Sequence, residues 1–461
     1  MYQIDFSTPK TAYFIGIGGI SMSAFAELLQ FMGFTIKGSD RSKSKITKHL
    51  EDLGIEIVYE QSSENITPDI DFVVYTAAIS ETNPEFKRAK ELGLPMMTRA
   101  SMIGQVMKNY TTAVAVAGTH GKTSTTSIAS HIMLEAGMDP TISVGGILPA
   151  IGGNLRIGRS KNFITEACEY TNSFLNFFPT IGIILNIEED HLDFFHDLAD
   201  IRRSFRRFAE LLPERGTLII NSDIENLDEI TGGLPCRVLT FSVDDPDADF
   251  HAADISYDEL GHGTFTLVRS GEKTDERYAL EIVGKHNIEN TLACLALSSL
   301  FDIPAQTIQS GLSKYKGTER RFERKGEYNG AVIIDDYAHH PTEIAATLAA
   351  AKQYPHKKLW VAFQPHTYTR TKSLLHELAE SLCAADHVLL ADIYAAREQD
   401  PGDISSKDIE NLIIESGNSA TYFGDFESIE KFLEKNLTTG DLLITMGAGN
   451  IVEVGETLAD R

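Results

Sequence analysis

Apolar residues along this chain come in two rhythms, short solid runs and longer stretches of helical period, which alternate from near the N-terminus onward. The first hundred residues place runs at 12–16, 34–38, 55–59 and 72–76, with an amphipathic stretch at 21–31. Solid runs this short read as strands covered on both faces, and helices between them predict a parallel sheet with crossover helices. A second set opens at 113–117, passes through glycine into a helix at 122–137, and continues with strands at 162–166, 181–186 and 217–221 before a helix at 287–300. A third begins near Gly326, with strands at 331–334, 359–363, 387–390 and 442–445 and helices at 341–352 and 371–384. The rhythm breaks near 108–111 and 316–325, which reads as two linkers. The expectation is an α/β protein of three domains, each built on a mostly parallel sheet, over 1–108, 109–320 and 321–461.

Composition narrows the class. A length of 461 residues suits about three domains. No apolar stretch approaches the roughly 20 residues of a membrane helix, and the start Met1-Tyr2-Gln3-Ile4-Asp5 lacks the basic-then-apolar order of a signal peptide. A soluble, cytoplasmic protein without membrane insertion is expected. Cys168, Cys236, Cys294 and Cys383 are widely spaced and are expected to be free thiols. A net charge of -25 argues against nucleic-acid binding, so any anionic ligand must be held by local devices such as backbone amides, a few cations and a metal.

Those devices are visible. Gly118-Thr119-His120-Gly121-Lys122-Thr123-Ser124 lies between a solid apolar run and a helix, where backbone N–H groups and a helix N-terminus surround phosphates, a lysine adds charge and a hydroxyl reaches magnesium. Glu166-Ala167-Cys168-Glu169-Tyr170 and the later run from Asn186 to Asp193 could bring carboxylates and an imidazole to neighbouring strand ends as ligands of a hard cation. Gly16-Ile17-Gly18-Gly19-Ile20-Ser21, with Ser39-Asp40 after the next strand, looks like a dinucleotide fingerprint whose third glycine is replaced by Ser21. That pattern alone suits a nicotinamide enzyme as readily as another nucleotide binder. In the third set, polar clusters at 335–341, 364–371 and 392–398 end successive strands, as at a site on the edge of a doubly wound sheet.

Together these segments resemble the Mur ligase family, with further support from Arg320-Arg321-Phe322, from Asp336 to Pro341, and from the stretch Gly284 to Asn290. The resemblance implies an N-terminal Rossmann-like UDP-sugar-binding domain, a central P-loop ATPase domain and a C-terminal Rossmann-like domain for the amino acid and ATP. It implies a ligase of peptidoglycan precursor synthesis that uses ATP and magnesium to join L-alanine to the lactyl carboxylate of UDP-N-acetylmuramate through an acyl phosphate. It assigns ATP to Gly118, Thr119, His120, Gly121, Lys122, Thr123, Ser124, His286, Asn287, Asn290, Arg321 and Asp336, and the metal to Thr123, Glu169 and His191. Lys122, Glu169 and His191 would be catalytic. The UDP-sugar would meet Gly16, Gly18, Ile20, Ser21, Ser39, Asp40, Ala78 and Asn83, and the amino acid Tyr337, His339 and Arg370.

Two departures stand beside the resemblance, and the first sharpens it. Several members carry a metal-bridging carbamylated lysine after the His-x-Asp segment, yet no lysine occurs from Leu192 to Arg215, as in the members that add L-alanine. Thr367 stands where many of those have arginine, which leaves Arg370 with Tyr337 or His339 for the amino-acid carboxylate. A sister ligase adding a preformed peptide, a folate or poly-glutamate ligase, and a non-catalytic sugar-nucleotide sensor are the rival readings. The third domain is expected to swing onto the second about a hinge between Lys316 and Gly326.

Overall fold

The computed structural model describes every residue except Met1, Pro9, Ala77, Ala78 and Arg397. Its described strands form three sheets. The first is parallel throughout, in the order Glu56–Val58, Thr35–Ser39, Thr11–Ile15, Phe72–Tyr75, Met96–Thr98. The second places Thr112–Ala117 between Asn162–Glu166 and Ile181–Ile184, followed in parallel by Thr217–Asn221 and Arg237–Ser242. The third runs Glu323–Tyr328, Ala331–Asp336, Leu442–Met446, Leu359–Phe363, His387–Ala391, Ala420–Gly424, parallel except for its first strand. The α/β class and the three sheet-based units are as the apolar rhythm predicts.

Three differences have physical causes. Phe250–Tyr257, His262–Arg269 and Glu272–Val283 extend the second sheet as an antiparallel meander. Phe250–Tyr257 and Glu272–Val283 mix buried with exposed positions, and polar residues interrupt all three strands, so none carries a solid apolar run. The single helix expected over 371–384 is two, Tyr368–Ser373 and Leu375–Leu382, parted at Leu374 with φ -115° and ψ 28°. The strand Glu323–Tyr328 begins inside the stretch read as a linker.

The two domain junctions differ in kind. One apolar cluster runs from Phe14, Phe25 and Phe72 of the first domain, through Met102, Ile103 and Val106, into Phe163, Phe174 and Phe208 of the second. Its bridge is the helix Arg99–Met107, where a Cβ on Gly104 would lie 1.9 Å from the carbonyl oxygen of Asn176. Only glycine permits that approach. The third sheet has its own clusters on its two faces and meets the second through polar groups. Arg370 pairs with Asp190 at 2.8 Å, His340 Nε2 donates to the Glu189 carbonyl at 2.9 Å, and Thr342 donates to Glu188 at 2.5 Å.

The chain passes between these last two bodies in a tight turn. Thr318 donates to Ser127 at 3.1 Å and the Glu319 N–H to the Ile147 carbonyl at 3.4 Å, both in the central unit. The Arg320 guanidinium is spent on the carbonyls of Gly447 and Gly449, at 2.7 and 2.8 Å, and on Asp335 at 2.9 Å, all in the third.

Candidate active site

The site begins where the strand Thr112–Ala117 ends. Gly118 has φ +146° and Gly121 φ +81°, and the helix Lys122–Glu135 starts at once. A Cβ on Gly118 would lie 2.9 Å from Leu185 Cβ, and one on Gly121 2.7 Å from Asn290 Oδ1, so backbone and space both demand glycine. Asn186, just beyond the neighbouring strand, accepts the N–H groups of His120 at 2.8 Å and Thr119 at 3.2 Å. The loop is thus pinned at the head of a helix, where free amides and the dipole favour an anion. Lys122 folds back over it, donating to the carbonyls of Gly118 and Thr119 and standing 3.1 Å from Glu169. Burial opposes the lysine charge, but Glu169 with Cys168 and Glu166 together raise the pKa of the ammonium.

Glu169 and His191 form the floor. The Glu169 side chain is buried and its second oxygen lies 3.7 Å from His191 Nε2, while the imidazole packs tilted against Tyr170, with ring centroids 4.5 Å apart. Burial lowers His191 below its ordinary value although Asp190 and Glu169 oppose this, which keeps a lone pair available. Thr123 and His191 line one cleft of about 370 Å³. A hydroxyl and a neutral imidazole on that cleft, with the Glu169 carboxylate 3.7 Å from the imidazole, are a donor set a divalent cation can use. His120, Glu188 and His340 also gather, with possible ligand atoms within 4.8 Å of one another. His340, however, accepts the Thr342 N–H at Nδ1 and donates from Nε2 to the Glu189 carbonyl, so its ring has no lone pair left for an ion.

The third domain closes the space from above. Asp336 accepts the N–H groups of Phe322 and Ala338 at 2.8 Å each, and burial, opposed by Arg321, raises its carboxyl to about 6. Tyr337 lies under the guanidinium groups of Arg320 and Arg321, at 5.0 and 5.2 Å. Burial lowers His286 and His339 to about 4 each. Arg370 is turned onto Asp190 and also meets His366 Nδ1 at 2.9 Å, so in this docked arrangement its charge is spent on the domain junction. Thr367 has φ +66°, unusual for a β-branched residue, and caps the helix that carries Arg370.

Beyond the loop opens a second cleft of about 750 Å³, lined by Ser124, His286, Asn287, Asn290 and Asp336 among others. Its volume falls in the range of small-molecule sites. The two clefts share His120, Gly121, Glu189, Arg321 and Glu343. Glu343, not singled out from sequence, reaches His120 at 3.2 Å, His339 at 3.3 Å and Arg321 at 3.8 Å. Burial would raise its carboxyl, yet His339, His120 and Arg321 hold it well below the ordinary carboxylate range. Burial would likewise lower His120, but Glu343 and Glu188 together raise it to about 9. Asp190 and Glu188 lie in the acidic stretch noted in the sequence, without any sign there of their partners.

The remaining predicted residues gather around the first sheet. The Gly18 N–H donates to Asp40 Oδ2 at 2.8 Å, and the Gly16 N–H to the Ser39 carbonyl at 2.8 Å. Ser39 is fully buried with its hydroxyl on Glu85, so it shapes the turn instead of offering that hydroxyl to a ligand. Asn83 caps the helix Pro84–Glu91 and donates to Gln61 at 2.9 Å. Ile20 is exposed, and its carbonyl accepts Asn154 of the central unit at 3.0 Å. Ser21 accepts Arg99, a half-buried guanidinium missed in the sequence, at 2.6 Å. Ala78 lies outside the described residues.

A glycine loop with its lysine at the head of a helix, faced by two further parallel sheets, defines a three-domain enzyme that handles nucleotide phosphates. The chain belongs to the Mur ligase family: the family's catalytic domain matches over 11–111, its middle domain over 116–298 and its glutamate ligase domain over 320–449. It is 56% identical to the UDP-N-acetylmuramate–L-alanine ligase of Agathobacter rectalis over the whole of both chains, and 55% identical to that of Lachnospira eligens over 99% of this chain and 100% of the relative. Among solved structures it is similar to the UDP-N-acetylmuramate-alanine ligase of Thermotoga maritima, with a TM-score of 0.81 and 27% identity over 98% of each chain. It is also similar to the murein peptide ligase of Psychrobacter arcticus, with a TM-score of 0.71 and 25% identity over 97% of this chain and 98% of the other.

Proposed function

We propose that this chain is an ATP-dependent ligase that joins L-alanine to the lactyl carboxylate of UDP-N-acetylmuramate, a step of peptidoglycan precursor synthesis in the cytoplasm. The observation that carries the reading is Lys122, 3.1 Å from Glu169, in a loop whose His120 and Gly121 line both clefts. The larger cleft takes the nucleoside of ATP, with His286, Asn287 and Asn290 on one wall and Asp336 on the other. The loop amides and Lys122 hold the phosphates, and Arg321 approaches them from the third domain. Thr123, Glu169 and His191 would hold magnesium, which supplies charge neutralisation between the phosphates and the attacking carboxylate.

The chain's own part is alignment. Two anions must be held in line against their repulsion, which calls for fixed cations and amides more than for covalent chemistry. The carboxylate of the sugar nucleotide attacks the γ-phosphate, ADP leaves, and the amine of alanine then displaces phosphate from the acyl phosphate. Docking of the third domain excludes water from that intermediate. In the first domain the turn Gly16 to Ser21, with Asp40 and Asn83 nearby, would hold the UDP-sugar. Tyr337 and His339 would face alanine, with Arg370 contributing its charge once it leaves Asp190.

A peptide-adding sister ligase is the second reading, since a murein peptide ligase shares the fold. Identities of 48–56% to alanine-adding relatives weigh against it. Phosphate release from ATP with UDP-N-acetylmuramate and either L-alanine or a preformed peptide separates the two. Release that depends on alanine is expected, and lost about 10²–10³-fold in Lys122→Ala. Release that follows the peptide instead would overturn the assignment.

A further inference from the structure

We propose that Glu343 is a positioning residue that makes the orientation of the His120 ring on the phosphate loop conditional on docking of the third domain. The inference rests on the ligase reading above. Glu343 stands three residues into the helix Pro341–Gln353, where an acid ordinarily serves its own helix dipole and faces water. Here its side chain is only 13% exposed and reaches across the junction to His120 Nδ1 at 3.2 Å. Its other oxygen accepts the His339 N–H at 3.2 Å, and Arg321 lies 3.8 Å away.

Three parts of the active site therefore converge on one carboxylate: the loop through His120, the phosphate-facing cation Arg321, and the mouth of the reaction cleft through His339. The backbone of His120 is fixed by Asn186 within its own domain, but its ring is held between Glu188 at 3.4 Å and Glu343. Withdrawing the third domain removes Glu343 and the His340 ring, which packs on His120 at 4.6 Å. Only Glu188 then remains to orient the imidazole. Arg321 belongs to the same body as Glu343 and leaves with it, so one movement takes both the carboxylate and that guanidinium away from the loop. A helix-capping role predicts none of this coupling.

The test compares the full-length protein with Glu343→Gln, Glu343→Asp, His120→Gln and the double variant Glu343→Gln/His120→Gln. For Glu343→Gln, kcat/KM for ATP is expected to fall about ten- to hundredfold, the size of a lost hydrogen bond between charged groups. KM for UDP-N-acetylmuramate should stay within about twofold, and Glu343→Asp, which keeps the charge, should recover part of the loss. The double variant should be no worse than the poorer single one, because both changes break one contact. Unchanged ATP kinetics, a parallel rise in KM for all substrates, or additive losses would each overturn the proposal. Affinity for a non-hydrolysable ATP analogue is measured alongside. If the wild type shows no alanine-dependent turnover, the ligase reading fails by itself, while Glu343→Gln must still weaken analogue binding for the positioning role to stand.

Discussion

The first and second domains are joined by apolar packing, the second and third by ions and hydrogen bonds. At the first junction a helix is pressed so closely onto Asn176 that its contact residue must be glycine, and aromatic rings of both sheets share one cluster. At the second, Arg370 meets Asp190, His340 meets the Glu189 carbonyl and Glu343 meets His120. An apolar seam loses stability whenever it opens, whereas polar groups that part can be met by water. The difference marks the first pair as one rigid platform and the third domain as the part that can leave and return.

Breaking the apolar seam should have the largest effect. Gly104→Val places a side chain against the Asn176 backbone, which cannot yield as a flexible side chain would, and is expected to cost about 3 kcal/mol or more. Calorimetry should show the first two domains melting earlier and together, and a third-domain transition that stays in place. Early melting of the first domain alone would mean that the seam does not couple them.

Asp190→Asn should act on the other junction with a smaller thermal signature. It leaves Arg370, with a side chain only 10% exposed, without its counter-charge, which costs several kcal/mol of docking if the arginine stays in place. The arginine can instead swing to water as the domain lifts, so the melting temperature should hardly move. Turnover should fall about tenfold or more, and small-angle scattering should show a larger radius of gyration with ATP analogue and UDP-N-acetylmuramate present. Identical scattering from wild type and variant would sink the junction role.

The smallest effect concerns pH. Burial would raise the Asp190 carboxyl, but Arg370 first, then His191 and His339, hold it below the usual carboxylate range. A depressed carboxylate contributes docking stability that is fully present above its ordinary value near 3.9 and is lost as pH falls through the lower docked value. Scattering curves of the liganded protein should therefore superimpose at pH 7 and pH 5. Opening already at pH 5 would assign the latch to another group.

Much of this was legible in the chain itself. The runs at 113–117 and 359–363 are buried along nearly their whole length, so their solid apolar character announces strands covered on both faces. The meander from 250 to 283 was not, because half-wet strands mix polar and charged residues among their apolar ones. Met96–Thr98 is too short to register a period. In the candidate site, the loop Gly118 to Ser124 declares itself because its contacts are local. Asp190 and Arg370 do not, since 180 residues separate them and neither carries a sign of the other. Glu343 reads in sequence as an ordinary first-turn acid, and only the docked domains reveal that it faces His120 and Arg321.

The turn at Glu319 and Arg320 has a mechanical meaning. One residue is bonded into the central body and the next is bolted by its guanidinium to Gly447, Gly449 and Asp335. With peptide planes rigid, the joint keeps only a few free torsions, so the third body can pivot but cannot drift away. Its accessible poses form a narrow fan, and the entropy lost on each return is small beside that of a floppy tether. A modest twist at this crank is magnified by the lever arm of the whole domain into a wide sweep at Arg370.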